Sequence, residues 1–114
     1  MICNRFDVVK VPFPFTDKDA TKTRPALVIS NSEFNRANNS TVFAMITSST
    51  KTAWLHDTAI IDFKDAGLTI PCLVRMKLFT IDNGFILKRL GQLSGVDVGR
   101  FELNFSKLTS HNQK

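Results

Sequence analysis

The sequence predicts a mainly β fold of the α+β class, a small and strongly curved sheet or barrel of five or six short strands with one closing helix. Two observations carry this prediction. Short apolar runs with period-two alternation recur between turn residues, and one convincing helical pattern follows them at the C-terminus. The length of 114 residues suits a single domain over residues 1–114, which is large enough to bury a core.

The first predicted strand ends near Phe15, and the second covers Ala26 to Ser30. In the first, valines and phenylalanines occupy every other position, so one face should be buried. Pro12 and Pro14 donate no backbone hydrogen bond, which predicts a sheet edge or a bulge near the end of the strand. A polar loop from residue 16 to residue 23 joins the two strands.

The next elements are short. Asn31 is a cap residue for a brief helical turn that reaches Arg36. A loop from residue 51 to residue 57 carries Trp54 and His56, and Asp65-Ala66-Gly67 predicts a turn. Further strands are predicted at Thr41 to Thr47, Thr58 to Phe63, Leu73 to Ile81 and Phe85 to Leu90.

Two local signals complete the predicted fold. Asn83-Gly84 is the strongest hairpin dipeptide of the chain. Ser94 and Asp97 have the spacing of a capping box, and an apolar stripe follows at helical spacing. The stripe consists of Val98, Phe101, Phe105 and Leu108.

Composition narrows the class of partner. The net charge of +5 and the pI of 9.6 favour an anionic partner, and nucleic acid before a membrane surface. No apolar run approaches the roughly 20 residues of a membrane span. The first strand begins too early to leave room for a signal peptide, so a cytoplasmic protein with free thiols at Cys3 and Cys72 is expected.

Arg24 is the first candidate for chemistry. It stands where the polar loop re-enters the sheet, and Pro25 favours an extended backbone there. Its guanidinium is a planar fork suited to phosphate and to the extra charge of a phosphorane. The alternative is an arginine paired with a loop carboxylate, Asp17 or Asp19.

Thr47 is the second candidate, because it ends an apolar strand and begins a hydroxyl cluster. The cluster consists of Thr47, Ser48, Ser49 and Thr50. The side chain of Thr47 would emerge at the same sheet edge as that of Arg24. The alternative is a hydroxyl that bonds its own backbone. Ser48 competes for the role, but alternation lets only one of the two face the site.

Arg75 and Lys77 alternate on one face of the longest predicted strand. They form a basic stripe that either contacts an anionic partner or is the solvated face of an antiparallel sheet. The sequence gives little support for histidine acid–base or metal-dependent chemistry. His56 and His111 are the only histidines, and no Asp/Glu/His/Cys cluster has metal-ligand spacing. No glycine-rich phosphate loop is present.

Several segments stand in an order that is specific to one family. They are Asp7 to Val11, Arg24-Pro25-Ala26-Leu27-Val28, Asn31 to Asn35, Ala44 to Ser48, Pro71 to Arg75, Thr80-Ile81-Asp82, and Lys88 to Gly91. In this order and over most of its length, the chain resembles the PemK/MazF toxins, the ribonuclease components of type II toxin–antitoxin systems. There are two departures. Lys77 is basic where some relatives carry an acid, and Thr21, Lys22 and Thr23 precede Arg24 where some relatives carry a glutamate.

The resemblance implies an SH3-like barrel of five to seven strands with a C-terminal helix. It implies an endoribonuclease that cuts single-stranded mRNA selectively by 2′-hydroxyl attack, without a metal or other cofactor. Arg24 and Thr47 would be catalytic. The predicted RNA-binding residues are Asp17, Lys22, Ser48, Arg75 and Lys77.

The implied partners are RNA, an acidic antitoxin and a second copy of the chain. The general base stays open between Asp17, Asp19 and Arg24 acting through a bound water. A non-catalytic RNA-binding barrel of the same fold is the alternative function. A third reading, an SH3 domain for proline-rich peptides, conflicts with the single Trp and the absence of Tyr.

Overall fold

A computed structural model describes residues 1–13, 22–48 and 51–111. Within these ranges it contains six strands, two α-helices and one short 3₁₀ helix. The strands are β1 (Asp7–Pro12), β2 (Thr23–Val28), β3 (Ser40–Thr47), β4 (Thr58–Ala59), β5 (Leu73–Asp82) and β6 (Lys88–Gln92). The helices are α1 (Ser32–Asn38), the 3₁₀ helix (Asn83–Phe85) and α2 (Gly95–Thr109).

The six described strands form one antiparallel sheet in the order β4-β5-β3-β2-β1-β6. The last strand therefore returns to pair with the first. The predicted class, a small curled β fold with a C-terminal helix, is confirmed.

Both faces of the sheet are packed. On the α2 face, Val8, Leu27 and Val74 are buried with Phe101 of α2. On the opposite face, which we call the Phe79 face, other apolar residues of the same strands pack around Phe79. They include Val9, Val11, Phe13, Ala26, Val28 and Phe43. A site on either face must therefore lie beyond the packed core, at the strand ends.

β1 differs from the prediction in two ways. It lies inside the sheet, between β2 and β6, and not at an edge. Pro12 is tolerated because pairing with β6 covers only Asp7 to Lys10, so no ladder hydrogen bond is needed from Pro12 on that side. Since both faces are covered, Val8 and Val9 are equally buried, and a single buried face was the wrong expectation. Phe15 and Pro14 lie outside the described residues.

Two predicted elements are replaced by long-range contacts. The strand from residue 58 to residue 63 stops at Ala59, because the backbone N–H groups of Ile61 and Asp62 donate to the Asp97 carboxylate at 2.8 and 2.9 Å. No hairpin forms at Asn83-Gly84, because β6 pairs with β1 and not with β5. Instead the buried Asn83 side chain accepts from Thr41 Oγ1 and donates to Asn35 O.

The predicted helix starts are confirmed. Asn31 caps α1 by accepting from Phe34 N, and Ser94 caps α2 by accepting from Asp97 N. Phe101 is fully buried, Val98 and Phe105 pack against the same core, and Leu108 remains exposed. Most of the apolar stripe of α2 thus belongs to the core of this chain.

Candidate functional site

A cavity of about 220 Å³ opens where β2 begins and β3 ends. It brings together three residues that the sequence singles out, Arg24, Thr47 and Ser48. Its other described lining residues come from Pro25, from Ile46 and from the segment that leads into β5. That segment contributes Leu68, Thr69, Ile70 and Cys72.

Strand register explains why Arg24 meets Thr47. The last observed pair of β2 and β3 is Ala26 with Met45. The same register continued by two residues sets Arg24 opposite Thr47, at the roughly 5 Å Cβ spacing of cross-strand neighbours. Both residues alternate onto the Phe79 face, and Ser48 alternates away from it.

The Arg24 guanidinium lies over an aromatic side chain. Its central carbon is 5.7 Å from the ring centroid of Phe13, and the Phe13 ring packs edge-on against Phe79 with centroids 5.4 Å apart. Such a cation–π contact holds the guanidinium without neutralising its charge.

Arg24 also keeps unused binding capacity. Among the described residues, its Nε atom is buried without a hydrogen-bond partner, and no carboxylate lies within ion-pair distance. The alternative pairing with Asp17 or Asp19 concerns residues outside the described ranges. A partly buried cation with an unsatisfied N–H beside a hydroxyl group is suited to bind an oxyanion.

Arg75 has a different environment from the one its predicted RNA-binding role requires. All three of its guanidinium nitrogens donate to neighbours on the loop from residue 51 to residue 57. The acceptors are both carboxylate oxygens of Asp57, at 3.1 and 2.9 Å, and the hydroxyl and carbonyl oxygens of Thr52, at 3.3 and 3.0 Å. Only 5% of Arg75 is exposed, so it is neither a solvated side chain nor a surface cation.

The ion pair raises the pKa of Arg75 and lowers that of Asp57. The hydrogen bonds that Arg75 donates to the Asp57 carboxylate raise the pKa of Arg75. Burial alone would raise the pKa of Asp57, but hydrogen bonds from Arg75 and from Trp54 N, with the Arg75 charge, lower it. Both groups are therefore charged across the physiological range, and the pair is a permanent anchor.

The remaining predicted RNA-binding residues are placed as follows. β5 bulges opposite β3, since Ala44 pairs with Leu78 and Met45 with Arg75, so the basic stripe of Arg75 and Lys77 is interrupted. Lys77 is half-buried, and Lys22 is exposed at the start of the second described range. Asp17 lies outside the described residues.

Two cavity or loop residues were missed by sequence reasoning. Cys72 lines the cavity, and burial raises the pKa of its thiol, so it is a protonated, unreactive wall residue. Trp54 stands on the anchored loop with its ring 5.4 Å from the Arg75 guanidinium carbon. Its sequence signal was a lone tryptophan in a polar loop close to the hydroxyl cluster.

In the described part of the chain, no three His, Cys, Asp or Glu side chains are grouped as a metal site would require. Neither α-helix has the length and apolar character to cross a bilayer.

Comparison with known proteins gives one family and one fold. The model of the PemK-like, MazF-like toxin of type II toxin–antitoxin systems matches residues 4–105. No curated protein matches the chain in sequence.

Solved structures resemble it at low identity. An endoribonuclease from a Mycobacterial species, in complex with its cognate antitoxin, superposes with a TM-score of 0.74 at 13% identity over 99% of this chain and 98% of that one. MazF from Deinococcus radiodurans gives 0.72 at 16% identity, over 95% and 96%. The toxin MazF-mt6 from Mycobacterium tuberculosis gives 0.68 at 18% identity, over 94% and 99%.

Proposed function

The chain belongs to the PemK-like, MazF-like toxin family of type II toxin–antitoxin systems, and from this premise we propose that it is an endoribonuclease whose active site is the cavity of Arg24 and Thr47. The observation that carries the proposal is the Arg24 guanidinium, a partly buried cation with an unpaired Nε among the described residues and a hydroxyl residue opposite. The 114 residues act as one toxin domain in the cytoplasm.

The reaction uses the substrate's own nucleophile. The ribose 2′-hydroxyl passes its proton to a general base as its oxygen attacks the adjacent phosphorus, and a pentavalent phosphorane forms. The P–O5′ bond then breaks as O5′ takes a proton. The products are a 2′,3′-cyclic phosphate and a 5′-hydroxyl. Arg24 stabilises the extra negative charge of the phosphorane through N–H donors already in place. The Thr47 hydroxyl donates to a phosphate oxygen or to the leaving oxygen.

The described lining of the cavity suits this route. It offers one cation, hydroxyl groups and apolar walls, and it lacks the carboxylates with which a protein holds magnesium beside a phosphate. Arg24 is the cation of this lining and can stabilise the charge of the phosphorane. The substrate is single-stranded, since its bases must be unstacked to be read by loop side chains such as Asp17, Lys22 and Ser48.

An acidic antitoxin is the proposed regulator. The chain carries a net charge of +5, and a cleft that attracts a polyanion also attracts an acidic, disordered peptide that folds on binding. Such a peptide would cover the Arg24 cavity and block RNA. A homodimer is proposed on the family relationship. Affinity for the antitoxin should fall as salt rises.

The deciding experiment is digestion of mixed-sequence RNA by the purified protein in excess EDTA. Cleavage should persist and leave 5′-hydroxyl ends, and a 2′-deoxyribose at the scissile position should abolish cutting while binding is retained. Ends that carry a 5′-phosphate, or activity that needs added magnesium, would contradict the mechanism. RNA that is bound but never cut would favour the non-catalytic barrel.

A further inference from the structure

Trp54 is exposed on one side and supported on the other. Its side chain is 45% exposed although the buried Arg75 guanidinium lies 5.4 Å from the ring centroid. A large aromatic ring that rests on a cation and presents its other face to solvent is a stacking platform. The neighbouring Leu55 is 82% exposed and has no such support.

The loop that carries Trp54 is held in one conformation. Trp54 N donates to Asp57 Oδ2 at 2.9 Å, and Asp57 N donates back to Trp54 O at 3.2 Å. Arg75 then ties both Asp57 and Thr52 to β5 through its four hydrogen bonds. The ring is thus pre-organised, and a ligand that stacks on it has little loop entropy to overcome.

Arg75, which supports Trp54, begins close to the proposed active site along β5. Thr47 pairs with Leu73, and Arg75 follows Leu73 by two residues on the same face of β5. At the rise of a strand, the backbones of Leu73 and Arg75 are roughly 7 Å apart. The residue that supports the Trp54 ring therefore starts two positions along β5 from the residue that pairs with Thr47.

We infer that Trp54 stacks on a base of the single-stranded RNA substrate, next to the phosphate held at Arg24, and that Arg75 and Asp57 are positioning residues for the Trp54 ring. The inference rests on the proposed function for the identity of the ligand. Stacking on an aromatic side chain is tolerant of base identity, so Trp54 supplies affinity and register, and leaves sequence reading to other residues.

The chain contains a single tryptophan, so its fluorescence reports on Trp54 alone. We would titrate the protein with a mixed-sequence oligonucleotide that is 2′-O-methylated throughout, which keeps bases and phosphates but lacks the attacking hydroxyl. Binding should quench the fluorescence. Trp54→Ala should raise the Kd about 10-fold or more, and Trp54→Phe should raise it less, since the ring is kept. Leu55→Ala is the matched control and should bind like wild type.

A double-mutant cycle tests the positioning role. Asp57→Asn should raise the Kd, and the Asp57→Asn/Trp54→Ala variant should bind no worse than Trp54→Ala, because the support has no use without the ring. A merely structural role for Asp57 would make the two losses additive.

Three results would overturn the inference. One is an unchanged fluorescence at saturating oligonucleotide, and another is a Trp54→Ala variant with the wild-type Kd. The third is a fluorescence shift that follows protein concentration without oligonucleotide, which would place Trp54 between two copies of the chain. The proposed function fails separately: a wild type that quenches and binds but does not cut unmodified RNA refutes the nuclease and supports the stacking site.

Discussion

Arg75 and Asp57 form an ion pair that is almost sealed from solvent, with Nη2 and Oδ2 2.9 Å apart and 6% and 14% of the two side chains exposed. In contrast, the pair of Arg5 and Glu102 is 3.4 Å long and has 31% and 52% exposed. Removing one partner of a buried pair leaves the other charge without compensation, whereas an exposed pair contributes little. The first pair therefore fixes the loop from residue 51 to residue 57 against β5.

The pair should give stability a specific pH dependence. The pKa of Asp57 is lowered in the folded state from an ordinary value of 3.8, so the contribution is complete above that value and is lost as the pH falls through the folded pKa. Asp57→Asn should cost about 2 kcal/mol of unfolding free energy at pH 7. The difference from wild type should shrink only below pH 3.8.

Thermal unfolding from pH 8 to pH 3 measures this, and Glu102→Gln is the control at the exposed pair, with an effect below about 1 kcal/mol. An Asp57→Asn variant as stable as wild type at pH 7 would show that the loop does not need the pair.

Gly67 is predicted to be intolerant of any side chain. It has a φ of 77°, and a Cβ atom there would lie 2.1 Å from the Leu90 carbonyl oxygen. Gly67→Ala should therefore destabilise the protein by at least ~2 kcal/mol. Because Leu68 to Ile70 follow directly and line the cavity, RNA cleavage should fall as well.

The matched control lies in α2. A Cβ atom at Gly99 meets no atom within 4 Å, so Gly99→Ala should stabilise the protein by roughly 0.5–1 kcal/mol through helix propensity. Chemical denaturation of both variants tests the pair. A harmless Gly67→Ala would mean that the turn before the cavity can move away from β6.

Arg24 should be essential for activity and dispensable for folding. Arg24→Ala should reduce the cleavage rate by at least ~10²-fold, the usual cost of one pre-organised donor to a developing charge. The melting temperature should stay near that of wild type, since the side chain is only half-buried at a strand end. Arg24→Lys keeps the charge but loses the fork, and should fall between the two. A folded Arg24→Ala protein with near-normal rate would remove Arg24 from the mechanism.

Local patterns in the sequence were sufficient for the parts of the fold that neighbouring residues decide. Ser94 and Asp97 begin α2 as the capping spacing indicates, and the strand that ends at Thr47 ends where its apolar run does. The Arg24 side of the cavity follows from the same cause, because the ends of β2 and β3 are marked by polar residues in the chain.

Distant partners decided the rest. The Asp97 carboxylate ends β4 from 35 and 36 positions away, and Thr41, 42 positions away, draws the Asn83 side chain into a buried network instead of a hairpin. Arg75 fits a basic stripe by alternation, but Asp57, 18 residues earlier, takes its guanidinium. A period-two pattern predicts which face of a strand a residue occupies, but it does not predict which distant residue contacts it there.

Because Asp57 pairs with Arg75, substitutions of Arg75 and Lys77 should affect the salt dependence of RNA binding differently. Each phosphate contact that is lost lowers the slope of log K against log salt by roughly 0.7 for a single strand. Lys77→Ala should flatten the slope by about that amount if Lys77 contacts RNA as the sequence predicts. The charge-neutral double variant Arg75→Met/Asp57→Asn should bind more weakly with an unchanged slope. A flatter slope in the double variant would return Arg75 to the phosphate-binding residues.

The register of β2 and β3 predicts which hydroxyl group takes part in the reaction. The ladder ends at Ala26 and Met45, and its continuation sets Arg24 opposite Thr47, with Ser48 turned to the other face. Thr47→Ala should then lower the cleavage rate by about 10- to 100-fold, the value of one hydrogen bond to a charged group. Thr47→Ser keeps the hydroxyl and should retain most activity.

Ser48→Ala should reduce the rate far less than Thr47→Ala, because Ser48 also lines the cavity but alternates to the opposite face of the strand from Thr47. Single-turnover cleavage of one RNA by the three variants separates the chemical step from binding. Severe loss in Ser48→Ala with a near-normal Thr47→Ala would mean that the strands depart from the observed register beyond Met45. The scissile phosphate would then contact Ser48 and not Thr47, and Arg24 would have to reach it from the opposite strand.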